Sequence, residues 1–227
     1  MLYLHNRSRL VSGDCVELSY CPISGSKFFG RTRELDQIAN SLDPAKGEKK
    51  RLLLWGLPGF GKTRVALRYR ELFKHRYDAM IWVDASTLDS ASDSFCQAAA
   101  CIRARLPSLS STLATLTVGD KDEAVFLVRR WLEHDCTNWL MVIDSIDEPD
   151  DFDTRKFLPD CNHGAILATS SLSGLGKAWD MQSLEISEID NQAGTELLLG
   201  LIGIENLSDE GKCIVSVNAS SATETNY

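Results

Sequence analysis

This chain has no apolar run long enough to span a bilayer, and its start, Met1-Leu2-Tyr3-Leu4-His5-Asn6-Arg7, lacks the sustained apolar core of a secretory signal. Neither membrane insertion nor export is written into it. Positive charge is also scarce: 24 Lys and Arg stand against 32 Asp and Glu, a net charge of −8. A phosphate backbone needs a basic footprint, so nucleic acid is excluded as a main partner. Seven cysteines are present, yet none forms Cys-x-x-Cys, and the four histidines (5, 75, 134 and 163) have no zinc-ligand spacing. An odd number of scattered thiols argues against a disulfide framework and for reduced cysteines in the cytoplasm. There is no internal repeat. The densest basic tract, Lys46, Lys49, Lys50 and Arg51, lies in a polar segment and reads as a solvated loop.

What is present is an ordinary globular composition, 44% hydrophobic and 25% charged over 227 residues, enough for one sizeable core. Within it Gly56-Leu57-Pro58-Gly59-Phe60-Gly61-Lys62-Thr63 satisfies G-x-x-x-x-G-K-[ST] in full. With glycine at about 7% of residues on average, the bare pattern arises by chance in roughly one chain of this length per hundred. Its surroundings make chance less plausible. Arg51 to Trp55 reads as a buried strand, and Val65, Tyr69, Leu72 and Phe73 recur at helical spacing. Strand, glycine turn and helix N-terminus make a phosphate cradle, because glycine admits close backbone approach and the free N–H groups face an anion. Pro58, Gly59, Phe60, Gly61 and Arg64 would surround the phosphates, Lys62 would reach the β- and γ-phosphates, and the Thr63 hydroxyl would ligate Mg²⁺.

Residues 1–27 read as an irregular N-terminal segment and 204–227 as a frayed tail, leaving 28–203 as the domain. Leu35, Ile38, Ala39 and Leu42 predict a helix ending before Pro44. Met80 to Val83 reads as a strand, and Phe95, Ala99, Ile102 and Leu106 as a helix stopping before Pro107. Residues 107–118 read as a loop, then Ala124 to Leu132 as another helix. Trp139 to Ile143 and Ala165 to Ala168 are continuous apolar runs, as in strands buried on both faces. Leu184 to Ile186 is a weaker strand, and 190–203 looks helical. Alternating strands and helices predict an α/β fold, a mostly parallel sheet between helix layers with its ligand at the carboxyl ends of the strands.

Asp144 closes the Trp139 strand and is the acidic partner a phosphate loop needs, holding Mg²⁺ opposite Thr63. Asp147 and Glu148 follow. One could polarise an attacking water, with Asp147 the better candidate, or the pair could form a charged turn capping a short helix at 151–157. Thr169, Ser170 and Ser171 end the next strand, where hydroxyls face the phosphates or form a turn.

The order of these motifs resembles the NB-ARC branch of the STAND P-loop NTPases, the nucleotide switches of NLR-type immune receptors and apoptotic scaffolds, and most of all the fungal members. Phe28-Phe29-Gly30-Arg31-Thr32-Arg33-Glu34-Leu35 looks like the family's F-x-G-R-x-x-E-L opening, Tyr77 to Ala85 its second-strand motif, Trp139 to Pro149 its acidic strand and turn, and Ala165 to Ser170 its sensor strand. The resemblance implies a P-loop NTPase three-layer sandwich. It also implies backbone contacts to adenine at Phe29, Gly30 and Arg31, a phosphate contact at Thr169, and a switch that rests with ADP and responds to ATP with Mg²⁺. Self-association or NLR-like protein partners are implied as well.

Two departures stand out. The family's sensor strand usually ends in an arginine that reads the γ-phosphate, and Ser171 stands there. The family's G-L-P-L helix, winged helix and M-H-D histidine do not occur before Tyr227, so the chain reads as truncated after its nucleotide-binding domain. Slow or absent hydrolysis is expected. Two alternatives stay open: a small-molecule phosphotransferase, for which an arginine-bearing lid is missing from 107–118, and a truncated, non-functional interaction or decoy fragment that folds poorly.

Overall fold

A computed structural model of the chain describes residues 15–22, 28–45, 50–105, 120–147, 154–189, 194–195 and 197–199. Among the described residues six strands, β1 (Val16–Glu17), β2 (Lys50–Trp55), β3 (Ala79–Asp84), β4 (Trp139–Asp144), β5 (Ala165–Ser170) and β6 (Gln182–Glu185), form one sheet in the order β1-β3-β4-β5-β2-β6. Every neighbouring pair is parallel. Parallel neighbours require crossovers, and the helices supply them: α1 (Thr32–Ser41), α2 (Lys62–Phe73), α3 (Leu88–Arg105), α4 (Lys121–His134), α5 (Thr154–Phe157) and α6 (Leu175–Ala178).

Strand alternation sorts the core into two layers. Leu52, Leu54, Met80, Trp82, Leu140, Val142, Ala165 and Leu167 pack against Leu35 and Ile38 of α1 and Val65, Ala66 and Tyr69 of α2. Leu53, Ile81, Val83, Met141, Ile143, Ile166 and Ala168 face Phe95, Ala99 and Ile102 of α3 and Leu127, Val128 and Trp131 of α4. Each fully buried Leu, Ile or Val contributes about 1.5–3 kcal/mol over its exposed state. A sheet covered on both faces explains why β4 and β5 are apolar throughout until their last residues. This is the three-layer P-loop NTPase sandwich expected.

Two readings are corrected. The segment 1–27 is not irregular throughout: Val16–Glu17 is an edge strand on β3. Beyond it the Ser19 hydroxyl continues the ladder, donating to Trp82 O at 2.6 Å and accepting from Trp82 N at 2.8 Å. Two ladder residues completed by a serine are too short for a periodicity signal. Second, Lys50 is no solvated loop residue. It opens β2 and is buried, because the strand starts one position earlier than the apolar run.

The loop read at 107–118, Glu148 and most of the helix read at 190–203 lie outside the described residues, as do Lys46, Lys49 and the tail at 204–227.

Candidate functional site

The phosphate loop joins β2 to α2. Gly59 and Gly61 have φ of 85° and 84°, left-handed values that side chains resist, and a Cβ on Gly59 would meet nothing within 4 Å. The loop's backbone is therefore shaped by glycine, with open space where a side chain on Gly59 would stand. Gly61 is the N-cap of α2 and no side chain caps it, so the first N–H groups of a twelve-residue helix point out of the loop. Pro58 is exposed, while Phe60 packs against the α2-side core and Arg64 is half-buried. The Lys62 ammonium lies across the loop, donating to Gly56 O at 2.8 Å and Leu57 O at 3.1 Å.

Sheet order then brings together residues far apart in sequence. β5 lies between β2 and β4, so Asp144 is two strands away from the strand that carries the loop. Thr63, one residue into α2, crosses that gap: its hydroxyl donates to Asp144 Oδ1 at 2.8 Å. Thr169, on the intervening strand, donates to the same oxygen at 2.6 Å. Burial pushes the Asp144 carboxyl above the usual aspartate range, against the two hydroxyl hydrogen bonds that pull it down. Ser145 has φ 66°, an uncommon conformation for serine, and its N–H donates to Thr169 Oγ1 at 2.8 Å. Thr169 is thereby oriented from both sides, and strain of this kind is seen where a site needs it.

The opening turn closes on the loop from the other side. Gly30 and Arg31 are both left-handed, and Arg31 leads into α1. A left-handed arginine costs about 1–2 kcal/mol. Its guanidinium offsets this by donating to Glu34 at 2.8 Å, to Phe60 O at 3.3 Å and to Ser187 O at 2.5 Å. The buried Arg31 side chain thus ties the opening turn, the phosphate loop and the segment after β6 together. Phe29 and Gly30 are half-buried beside it. Sequence reasoning gave Arg31 a backbone role and missed this strut; a buried arginine leaves no local signal.

Asp147 is exposed, and its Oδ1 accepts from Ser171 N at 2.7 Å and Ser171 Oγ at 2.8 Å. That contact locks the turn after β4 to the turn after β5. Neither reading of Asp147, water-polarising acid or part of a turn capping a helix at 151–157, included this contact with Ser171, and the start of that helix lies outside the described residues. Among the described residues no group of three or more His, Cys, Asp or Glu could hold a metal. The donors that do converge are a carboxylate and a hydroxyl, both hard oxygens, beside an open glycine cradle and a lysine. That set fits Mg²⁺ with a phosphate, since Mg²⁺ takes one or two protein oxygens and completes its shell with water and phosphate.

No family model matches the chain. It is 31% identical over 130 residues to a nucleotide-binding leucine-rich repeat (NLR)-like protein of Hyaloscypha variabilis, covering 55% of this chain and 12% of that protein. In fold it is similar to a signal transduction ATPase with numerous domains (STAND), a protein with a tetratricopeptide repeat sensor from Pyrococcus horikoshii. The TM-score is 0.52 at 16% identity, over 87% of this chain and 28% of that one. It is also similar to Cdc6p from Pyrobaculum aerophilum, with TM-score 0.53 at 16% identity, over 86% of this chain and 56% of that one. The chain therefore spans about an eighth of the NLR-like relative's length. Sequence and fold agree: this is a P-loop NTPase fold in a chain that resembles the NB-ARC domains of STAND proteins.

Proposed function

We propose that residues 28–203 form a nucleotide-binding switch module that holds ADP or ATP with Mg²⁺ and hydrolyses ATP slowly. One observation carries this: Thr63 and Asp144, 81 positions apart, meet at 2.8 Å beside a glycine-shaped loop and its lysine. Pro58 to Arg64 would cradle the phosphates, with Lys62 exchanging its two loop carbonyls for phosphate oxygens. Thr63 and Asp144 would hold Mg²⁺, whose contribution is to neutralise charge on the phosphates. Thr169, hydrogen-bonded to Asp144, would report on that pair. Phe29, Gly30 and Arg31 would contact adenine through their backbone, held against the loop by the Arg31 guanidinium.

Slow hydrolysis follows from position 171. An arginine aimed at a transferring phosphoryl group is worth about 10³–10⁵ in rate. Ser171 is neutral, and its hydroxyl and amide already serve Asp147. The next cation along the chain, Lys177, is on α6.

Self-association or docking to NLR-like proteins in the cytoplasm is part of this reading, supported by the likeness to an NLR-like protein and, in fold, to a STAND protein. No helix among the described residues is long and apolar enough to cross a membrane. Calorimetric titration with ADP and ATP, with and without Mg²⁺, tests the proposal. Binding of both nucleotides, strengthened by Mg²⁺, with turnover far below about 1 per second, is expected. No heat with either nucleotide would leave only an interaction fragment.

A further inference from the structure

Asp84 ends β3 and stands in register with Asp144 on β4. Along β3, Met80 and Trp82 belong to the α2-side core and Ile81 and Val83 to the opposite one, so Asp84 projects to the α2 side. The same alternation puts Asp144 there after Leu140 and Val142, and Thr169 there after Ala165 and Leu167. Three adjacent strands thus carry a polar side chain, last in β3 and β4 and last but one in β5, on the face that carries Lys62 and Thr63. Asp84 is exposed, and it is held in place. Its Oδ1 accepts from Ser86 N at 3.0 Å and Ser86 Oγ at 2.7 Å, a turn that pins the carboxylate ahead of α3.

The geometry points to Asp84 as the second acidic arm of this site, a positioning carboxylate that holds a water of the Mg²⁺–nucleotide complex from the β3 side. This presupposes the nucleotide site proposed above, and it is a different task from the polarising of an attacking water suggested for Asp147. Neighbouring strands run about 4.8 Å apart, so a carboxylate one strand beyond Asp144 lies one water away from a cation shared by Thr63 and Asp144. Mg²⁺ keeps several waters, and the groups that hold them set its affinity. Asp147 is one turn further on, with its Oδ1 closed on Ser171.

The test is calorimetric titration of ADP into the full chain, Asp84→Asn and Asp147→Asn, at graded Mg²⁺ and again in EDTA. Asparagine keeps an oxygen for the two Ser86 donors, so Tm should not change. Asp84→Asn is expected to raise the Mg²⁺ concentration needed for half-maximal enhancement of ADP affinity roughly tenfold. ADP affinity in EDTA should stay put, and Asp147→Asn should keep the unmodified Mg²⁺ requirement. An Asp84→Asn chain with an unshifted requirement overturns the assignment, as does an equal loss in EDTA or a shift found in Asp147→Asn instead. If the unmodified chain binds no ADP under any condition, the nucleotide reading itself falls. If it binds and only Asp84 proves indifferent, that reading survives and this inference does not.

Discussion

The two ends of the sheet use polar groups in opposite ways. At the amino end of β4, Trp139 is fully buried and its indole N–H donates to Leu132 O at 2.9 Å. His163 Nε2 lies 2.8 Å from the same carbonyl, its ring edge-on to the indole at 6.4 Å. Gly164, at φ 75°, leaves room for that indole, which a Cβ would overlap. In the other core layer, the Tyr69 and Tyr77 hydroxyls pair at 2.8 Å, and Tyr77 donates to Leu42 O at 3.1 Å. Here polar groups satisfy each other inside packed layers. At the carboxyl end, the Lys62 ammonium rests on loop carbonyls and two hydroxyls share one Asp144 oxygen. Under the proposed function those contacts would be exchanged for a ligand's. In a parallel sheet every strand's carboxyl end and the helix that follows it fall on one edge, so the exchangeable groups collect there.

The contrast can be broken most severely at the packed end. Trp139→Ala should cost about 3–5 kcal/mol of stability, since it empties a buried aromatic site. Urea denaturation would measure it, and nucleotide affinity of the folded chain should hold. A large loss of affinity at unchanged stability would mean that the two ends are not separate.

Lys62→Ala should do the reverse, leaving Tm intact while weakening ADP and ATP alike. A charge-assisted contact is worth about 1.5–3 kcal/mol, or roughly ten- to a hundred-fold in Kd. Calorimetry showing unchanged affinity would make the loop merely structural.

Asp144→Asn sharpens the comparison through pH. Burial holds the Asp144 carboxyl above its ordinary value of 3.8, so the folded chain binds its proton more readily than the unfolded chain does. The resulting stabilisation is complete below the ordinary value and disappears as pH rises through the raised one, so ionised Asp144 is a burden near pH 7. In EDTA, Asp144→Asn should therefore raise Tm near neutrality, by a margin that shrinks as pH falls towards about 4. The same variant should lose the Mg²⁺ enhancement of binding. A margin that grows on acidification would show that Asp144 is stabilising rather than strained.

The smallest effect is expected at Ser171→Arg. The backbone N–H to Asp147 survives, and the new cation beside an exposed carboxylate is worth about 1 kcal/mol or less. A gain for ATP over ADP of at most roughly fivefold would appear in paired titrations. A gain for ADP instead would put position 171 away from the γ-phosphate.

Gly56 to Thr63 and the apolar runs of β2, β4 and β5 were legible because each rests on local chemistry: glycine conformations, period and a helix start. Asp144 was legible as a strand-end acid. Asp84 was equally visible at the end of Met80-Ile81-Trp82-Val83, yet nothing local marks it as a neighbour of Asp144. The β1 strand escaped because two residues and a serine hydroxyl carry no period. The Arg31 strut escaped because its partners are 29 and 156 positions away.

The sequence by itself determined the element types, the alternation of strand and helix, and the phosphate loop, all of which depend on neighbours a few residues apart. Only the tertiary structure decided the strand order β3-β4-β5-β2, and with it that Thr169 would stand between Asp144 and the loop. The physical reason is that strand order is a choice among pairings distant in sequence, settled by how whole helix layers bury the two faces of the sheet. A hydroxyl's partner two strands away is fixed only once that choice is made.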